Sequence, residues 1–171
     1  GLPLLALRPW LVWVALAYAA TFIVNVAFAA KRDERALVND LVFIVQCTAM
    51  VVVTWAVAVG DGSWQPPDIA AAPPHLWVLT IAVALILIGS TLHVKSLIRE
   101  RRDARYARAS RAVAFASLVA AVGLATWWGL PIGLLLLLPF AWFALRSAVF
   151  ADPTQRPARI GMIELVGFLL L

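Results

Sequence analysis

The stretch Lys95–Arg111, KSLIRERRDARYARASR, orients the whole chain. It carries Lys95, Arg99, Arg101, Arg102, Arg105, Arg108 and Arg111 against two acids, Glu100 and Asp103. Apolar runs flank it, Leu76 to about Ile98 before and Ala112 to Trp128 after. A membrane-crossing helix needs about 20 such residues. A basic connection between two spans belongs on the cytoplasmic side of a membrane. The stretch has no proline or glycine and is expected to be helical.

Composition agrees. The 171 residues are 64% hydrophobic and 13% charged, with a mean hydropathy of +0.93. A soluble domain is about 45–50% apolar and about 25% charged. So short a chain has too little interior to hide the excess, which must therefore face lipid. The net charge of +5 would suit nucleic acid in a soluble protein. Here the cations fall in alternate loops, so no nucleic-acid partner is expected. The single cysteine, Cys47, lies in an apolar run and rules out an intrachain disulfide.

Working outward, the pattern predicts an all-α, polytopic transmembrane helix bundle forming a single domain. Five full spans are expected at about 10–30, 41–60, 76–98, 112–128 and 132–150, with a truncated sixth at 160–171. The first, Trp10 to Ala30, reaches about 31 Å at 1.5 Å per residue, enough to cross the hydrocarbon core. Its Thr21 and Asn25 lie four apart and should face the bundle. Ala116, Ala120 and Gly123 on the fourth span should permit close helix packing. The chain opens at Gly1 and stops at Leu171 inside an apolar run, so it is expected to be a fragment cut at both ends.

Charge sets the orientation. Loops 31–40, 95–111 and 151–159, with the nearby Arg146, hold thirteen of the fourteen Lys and Arg; the other side holds Arg8. These loops are therefore cytoplasmic, and the protein is expected in the inner membrane. Trp10, Trp13, Trp55, Trp64, Trp77, Trp127 and Trp128 cluster toward the opposite face, as an interfacial belt would. Trp142 does not.

The candidates for chemistry lie on the basic side. Asn39-Asp40 could help hold magnesium against a substrate phosphate, since that ion takes oxygen ligands. The plainer reading is a helix N-cap. Lys95, Arg99, Arg102 and Tyr106 recur at four, three and four, one helical stripe that could grip a diphosphate or phospholipid headgroup. A solvated topology signal is the alternative. His93 could shuttle a proton or simply hydrogen-bond a neighbouring helix. Glu164 stands five residues into the last span and requires a partner there, with Arg146, Arg159, His93 or Lys95 at similar depth. No P-loop, HExxH, G-x-S-x-G or haem-binding histidine pair is present.

Several pieces together resemble the YwiC-like family of bacterial membrane proteins. They are Arg35-x-x-x-Asn39-Asp40, His93 to Arg101, Tyr106 to Ser110, and Ile160 to Glu164. The resemblance runs from about residue 30 to the end, without the family's Gln-His-Gly-Ala-Trp signature. The family's layout is similar to that of UbiA-type prenyltransferases, which bind magnesium diphosphate through Asn-Asp-x-x-Asp-x-x-x-Asp. This chain keeps Asn39-Asp40 but has Phe43 and Cys47 where the next acids stand.

The resemblance implies a membrane protein with a cytoplasmic-side site for a prenyl diphosphate or lipid phosphate. Membrane lipids are the expected partners and magnesium the one cofactor in view. Arg35, Lys95, Arg99, Arg102, Tyr106, His93 and Glu164 would bind, and Asn39 and Asp40 would act in a prenyltransferase-like reaction. The alternatives are a proton-coupled transporter and a non-catalytic assembly subunit.

Overall fold

The computed structural model describes residues 2–31, 36–129 and 132–170. Among them there is no strand. Seven helices follow one another: α1 Leu2–Leu7, α2 Leu11–Ala30, α3 Leu37–Val59, α4 Pro74–Val94, α5 Ala104–Trp128, α6 Ile132–Val149 and α7 Pro157–Leu169. A single π-helical turn, Lys95–Arg99, extends α4. Four helices are long and apolar enough to cross a membrane: α2, α3, α4 with its π turn, and α5. The protein is thus an all-helical membrane protein. The expected fifth span, α6, has 18 residues, about 27 Å at 1.5 Å per residue. The chain divides into two compact units, 1–81 and 82–171, with the boundary inside α4.

In the first unit α2 shows a narrow half-buried stripe at helical spacing: Val14, Tyr18, Thr21, Asn25 and Phe28. Phe22, Ile23 and Val26 on its other faces are exposed. Lipid is the solvent that suits so apolar an exterior. The Tyr18 hydroxyl donates to the Gln46 carbonyl, and the Gln46 amide donates to Thr21 Oγ1. The expected polar face of α2 therefore meets α3. Arg8 donates from Nε to the Val57 carbonyl at 3.1 Å. A cation is favoured at those last, unpaired carbonyls of α3. Trp13, Trp64, Trp77 and Trp127 are exposed, as a belt requires. Trp10 departs from it: the ring is 2% exposed and packs beside Gly60.

In the second unit α5 and α6 pack so closely that a Cβ on Gly133 would strike the Ala125 backbone. The buried face of α5 is Ser110, Ala114, Ser117, Ala121 and Ala125. The expectation of a small-residue face holds, but Ala116, Ala120 and Gly123 are exposed. So many small residues occur on α5 that spacing alone cannot choose the face. Ala82, Ile86, Ala121, Phe140 and Phe143 form the core. Trp142 is held inside by its indole N–H, which donates to the Ile163 carbonyl at 3.2 Å. That explains why it stands apart from the belt.

Candidate functional site

The buried stripe of α4 runs Ala82, Ile86, Ser90, His93, turning from apolar to polar toward the helix end. On α6, Phe143 and Arg146 are buried one turn apart; on α7, Ile160, Glu164 and Gly167 are. Their packing places four polar side chains together. Ser90 Oγ donates to Glu164 Oε2 at 2.5 Å. Arg146 Nη1 pairs with the same oxygen. His93 Nε2 lies 3.9 Å from Glu164 Oε1. The Arg146 guanidinium sits 4.0 Å from the Phe143 ring centroid, a favourable desolvated cation–π geometry. Arg146 is 1% exposed and Glu164 6%. A carboxylate and a guanidinium this deep persist only because each neutralises the other.

Arg146 is thus the partner Glu164 needed, with His93 beside it. Ser90 was missed by sequence reasoning. Its one available signal is the three-residue spacing to His93, which puts both on one face.

The basic stretch folds differently from a continuous helix. After the π turn, the Glu100 N–H donates to the Lys95 carbonyl at 2.7 Å and the Asp103 N–H to the Glu100 carbonyl at 2.8 Å. Asp103 then caps α5, its carboxylate accepting from the Arg105 N–H at 2.8 Å. Helix α5 therefore begins at Ala104, eight residues before the expected span. The reversal ends the stripe proposed for Lys95, Arg99, Arg102 and Tyr106. Lys95 is buried, Tyr106 half-buried, and Arg99 and Arg102 exposed. In exchange, Arg99, Arg101, Arg102 and Arg105 surround one open depression of about 670 Å³, together with Glu100 and Asp103. Tyr106 is not in its lining. The π turn marks it further, since such turns recur at functional sites.

The loop 151–156 reaches the same end of this unit, where Ala151 and Pro153 line a small cavity with Arg101 and Arg111. Asp152 organises it by accepting from the Thr154 hydroxyl at 2.7 Å and the Thr154 N–H at 2.8 Å. Those bonds hold its carboxyl below the usual carboxylate range.

Asn39 and Asp40 belong to the first unit. Helix α3 is capped at Ala36, with no side-chain cap bond. They stand inside its first turn, so the N-cap reading of these two residues does not hold. An acid there still favours the helix dipole. Arg35 lies outside the described residues. Among the described residues no three His, Cys, Asp or Glu side chains stand close enough to share a metal ion.

Known proteins match part of the chain. Residues 1–55 match the family model described as YwiC-like protein. An uncharacterized protein YwiC of Bacillus subtilis (strain 168) is 31% identical over 102 residues, covering 58% of this chain and 38% of the relative. Over its first 55 residues the chain is similar to YwiC-like proteins. An uncharacterized protein of Haemophilus influenzae is 42% identical over 87 residues, 51% of this chain and 32% of that protein. Each match spans under two-fifths of the relative's length. No solved structure matches. The family model covers α1, α2 and most of α3, whereas the resemblance was expected from residue 30 onward. His93–Arg101, Tyr106–Ser110 and Ile160–Glu164 all lie outside the residues it matches.

Proposed function

We propose that this YwiC-like membrane protein binds a phosphate-bearing, lipid-linked anion at the turn between α4 and α5. That turn would face the cytoplasm from the inner membrane, as charge placement indicates. The observation carrying the reading is the depression walled by Arg99, Arg101, Arg102 and Arg105. Four guanidiniums around one concavity exceed what a topology signal requires, and their planar forks suit phosphate oxygens. Glu100 and Asp103 at the rim leave a net positive site, suited to an anion. Prenyl diphosphates and lipid phosphates both fit. A separate, enzymatic reading takes Asn39 and Asp40, in the first unit, as catalytic residues. It predicts that Asp40→Ala abolishes consumption of a prenyl diphosphate while expression is unchanged.

The experiment is native mass spectrometry of the mildly purified protein. A phosphate-bearing lipid should co-purify and fall at least tenfold in the Arg99→Gln/Arg102→Gln/Arg105→Gln variant. Equal retention in that variant removes the basic turn from the function.

The buried Ser90–His93–Arg146–Glu164 cluster favours a second reading, proton-coupled transport. Ionisable groups at that depth mark proton relays in transporters. It predicts uptake into vesicles that follows a proton gradient and fails in Glu164→Gln. Intact folding with no uptake in any form leaves the cluster as a tie between α4, α6 and α7 in an assembly subunit.

A further inference from the structure

Beside the open depression lies a second, more enclosed cavity of about 160 Å³. Three buried serines from three elements line it: Ser96 in the π turn, Ser110 on α5 and Ser147 on α6. Arg101 and Arg111 also line it, and no acidic side chain does. That distinguishes it from the open depression, whose wall includes Glu100 and Asp103. Buried hydroxyls are normally tied to the backbone. Ser96 donates to the His93 carbonyl at 2.8 Å and Ser147 to the Ala144 carbonyl at 2.9 Å. Ser110, 3% exposed, adds a third hydroxyl to the lining, able to donate or to accept.

We infer that this cavity seats a single phosphoryl group. The inference rests on the anion-binding reading above and narrows its chemistry. Size sets the first limit. Pockets for drug-sized ligands run about 300–1,000 Å³, so about 160 Å³ suits a small oxyanion and is too small for a nucleotide. Donors set the second. Ser110 and the two guanidiniums supply O–H and N–H groups to the oxygens. Ser96 and Ser147 spend their protons on the backbone, so their oxygens present lone pairs. A phosphate or phosphate monoester, with a second pKa of about 6, keeps a P–OH near neutrality that can donate to such an acceptor. Sulfate has none and should bind more weakly. Arg101 borders both cavities, so a lipid phosphate held in the open depression can reach the seat. Free phosphate is the other source of the same chemistry.

The test uses the protein in phosphatidylcholine nanodiscs titrated with inorganic phosphate and followed by ³¹P NMR. Binding is expected, at least fivefold weaker for sulfate, and at least tenfold weaker in Arg111→Gln. Ser110→Ala should lose severalfold. Arg108→Gln, on the same helix but outside both cavities, should bind as the parent does. Phosphatidate added to the discs should displace phosphate if the source is a lipid; binding without displacement assigns the seat to free phosphate. Loss in Arg99→Gln/Arg105→Gln with none in Arg111→Gln or Ser110→Ala overturns the seat and leaves the open depression standing. Absence of anion binding in every form overturns both.

Discussion

Glu164 concentrates the energetics at the scale of single residues. Its carboxylate, Arg146 and Ser90 form a buried network, and removing one charge strands the other. Glu164→Gln should cost about 3–5 kcal/mol of stability, read by thermal unfolding in detergent. The double variant Glu164→Met/Arg146→Met should recover at least half of that, because an apolar pair of similar volume pays no desolvation. No recovery would mean that the network contributes through its hydrogen bonds. At the basic turn, Asp103 plays two parts, capping α5 and lining the basic depression. Asp103→Asn keeps a capping side chain and removes a negative charge, so anion affinity should rise severalfold at low salt and the rise should shrink at high salt. A fall in affinity would show that the cap geometry, and not the charge, governs the site. An intramembrane acid that requires a cation is readable from residue types alone. Which of four candidate cations it takes is not, because that depends on how α6 and α7 pack. Ser90 was illegible for the same reason: a lone serine in an apolar run acquires meaning only from what packs against it.

Among the elements, the contact of α7 with α6 makes the sharpest demand on the sequence. A Cβ on Gly167 would lie 2.5 Å from Phe143 Cε1 and 3.0 Å from Trp142 Cδ1. Gly167→Ala should therefore destabilise by about 1–3 kcal/mol through overpacking. Gly123 on α5 has nothing within 4 Å of the same position, and Gly123→Ala should be neutral or stabilising by up to about 1 kcal/mol through helix propensity. Equal unfolding temperatures for the two variants would remove the α6–α7 contact from the account. The spans themselves were legible because hydrophobic length is a one-dimensional property of the chain. Their ends were less so. The reversal at residues 100–103 carries no proline or glycine, and its only local signal is Asp103 ahead of Ala104 and Arg105. The buried face of α5 was masked by alanines on every side. Trp13, Trp64, Trp77 and Trp127 are exposed, as the expected belt requires, but Trp10 is a core residue and the pattern of tryptophans does not reveal it.

For the whole molecule, the asymmetry of charge predicts orientation. Cys47 is the single cysteine, so a Cys47→Ala background permits mapping by impermeant thiol reagents. Ser63→Cys should label from the periplasmic side of intact cells, while Arg108→Cys and Gln155→Cys should label only after the membrane is opened. Labelling of position 108 from outside would invert the topology and place the basic turn away from the cytoplasmic lipids it is proposed to meet. The relatives that match part of the chain are themselves uncharacterized, so the functional reading rests on the chemistry of the second unit. The most direct test of that argument is native mass spectrometry of the mildly purified protein beside its Arg99→Gln/Arg102→Gln/Arg105→Gln variant. Retention of a phosphate-bearing lipid by the parent, with at least a tenfold loss in the variant, is the predicted result. The same lipids held equally by both would contradict it and reduce the basic turn to a signal for membrane orientation.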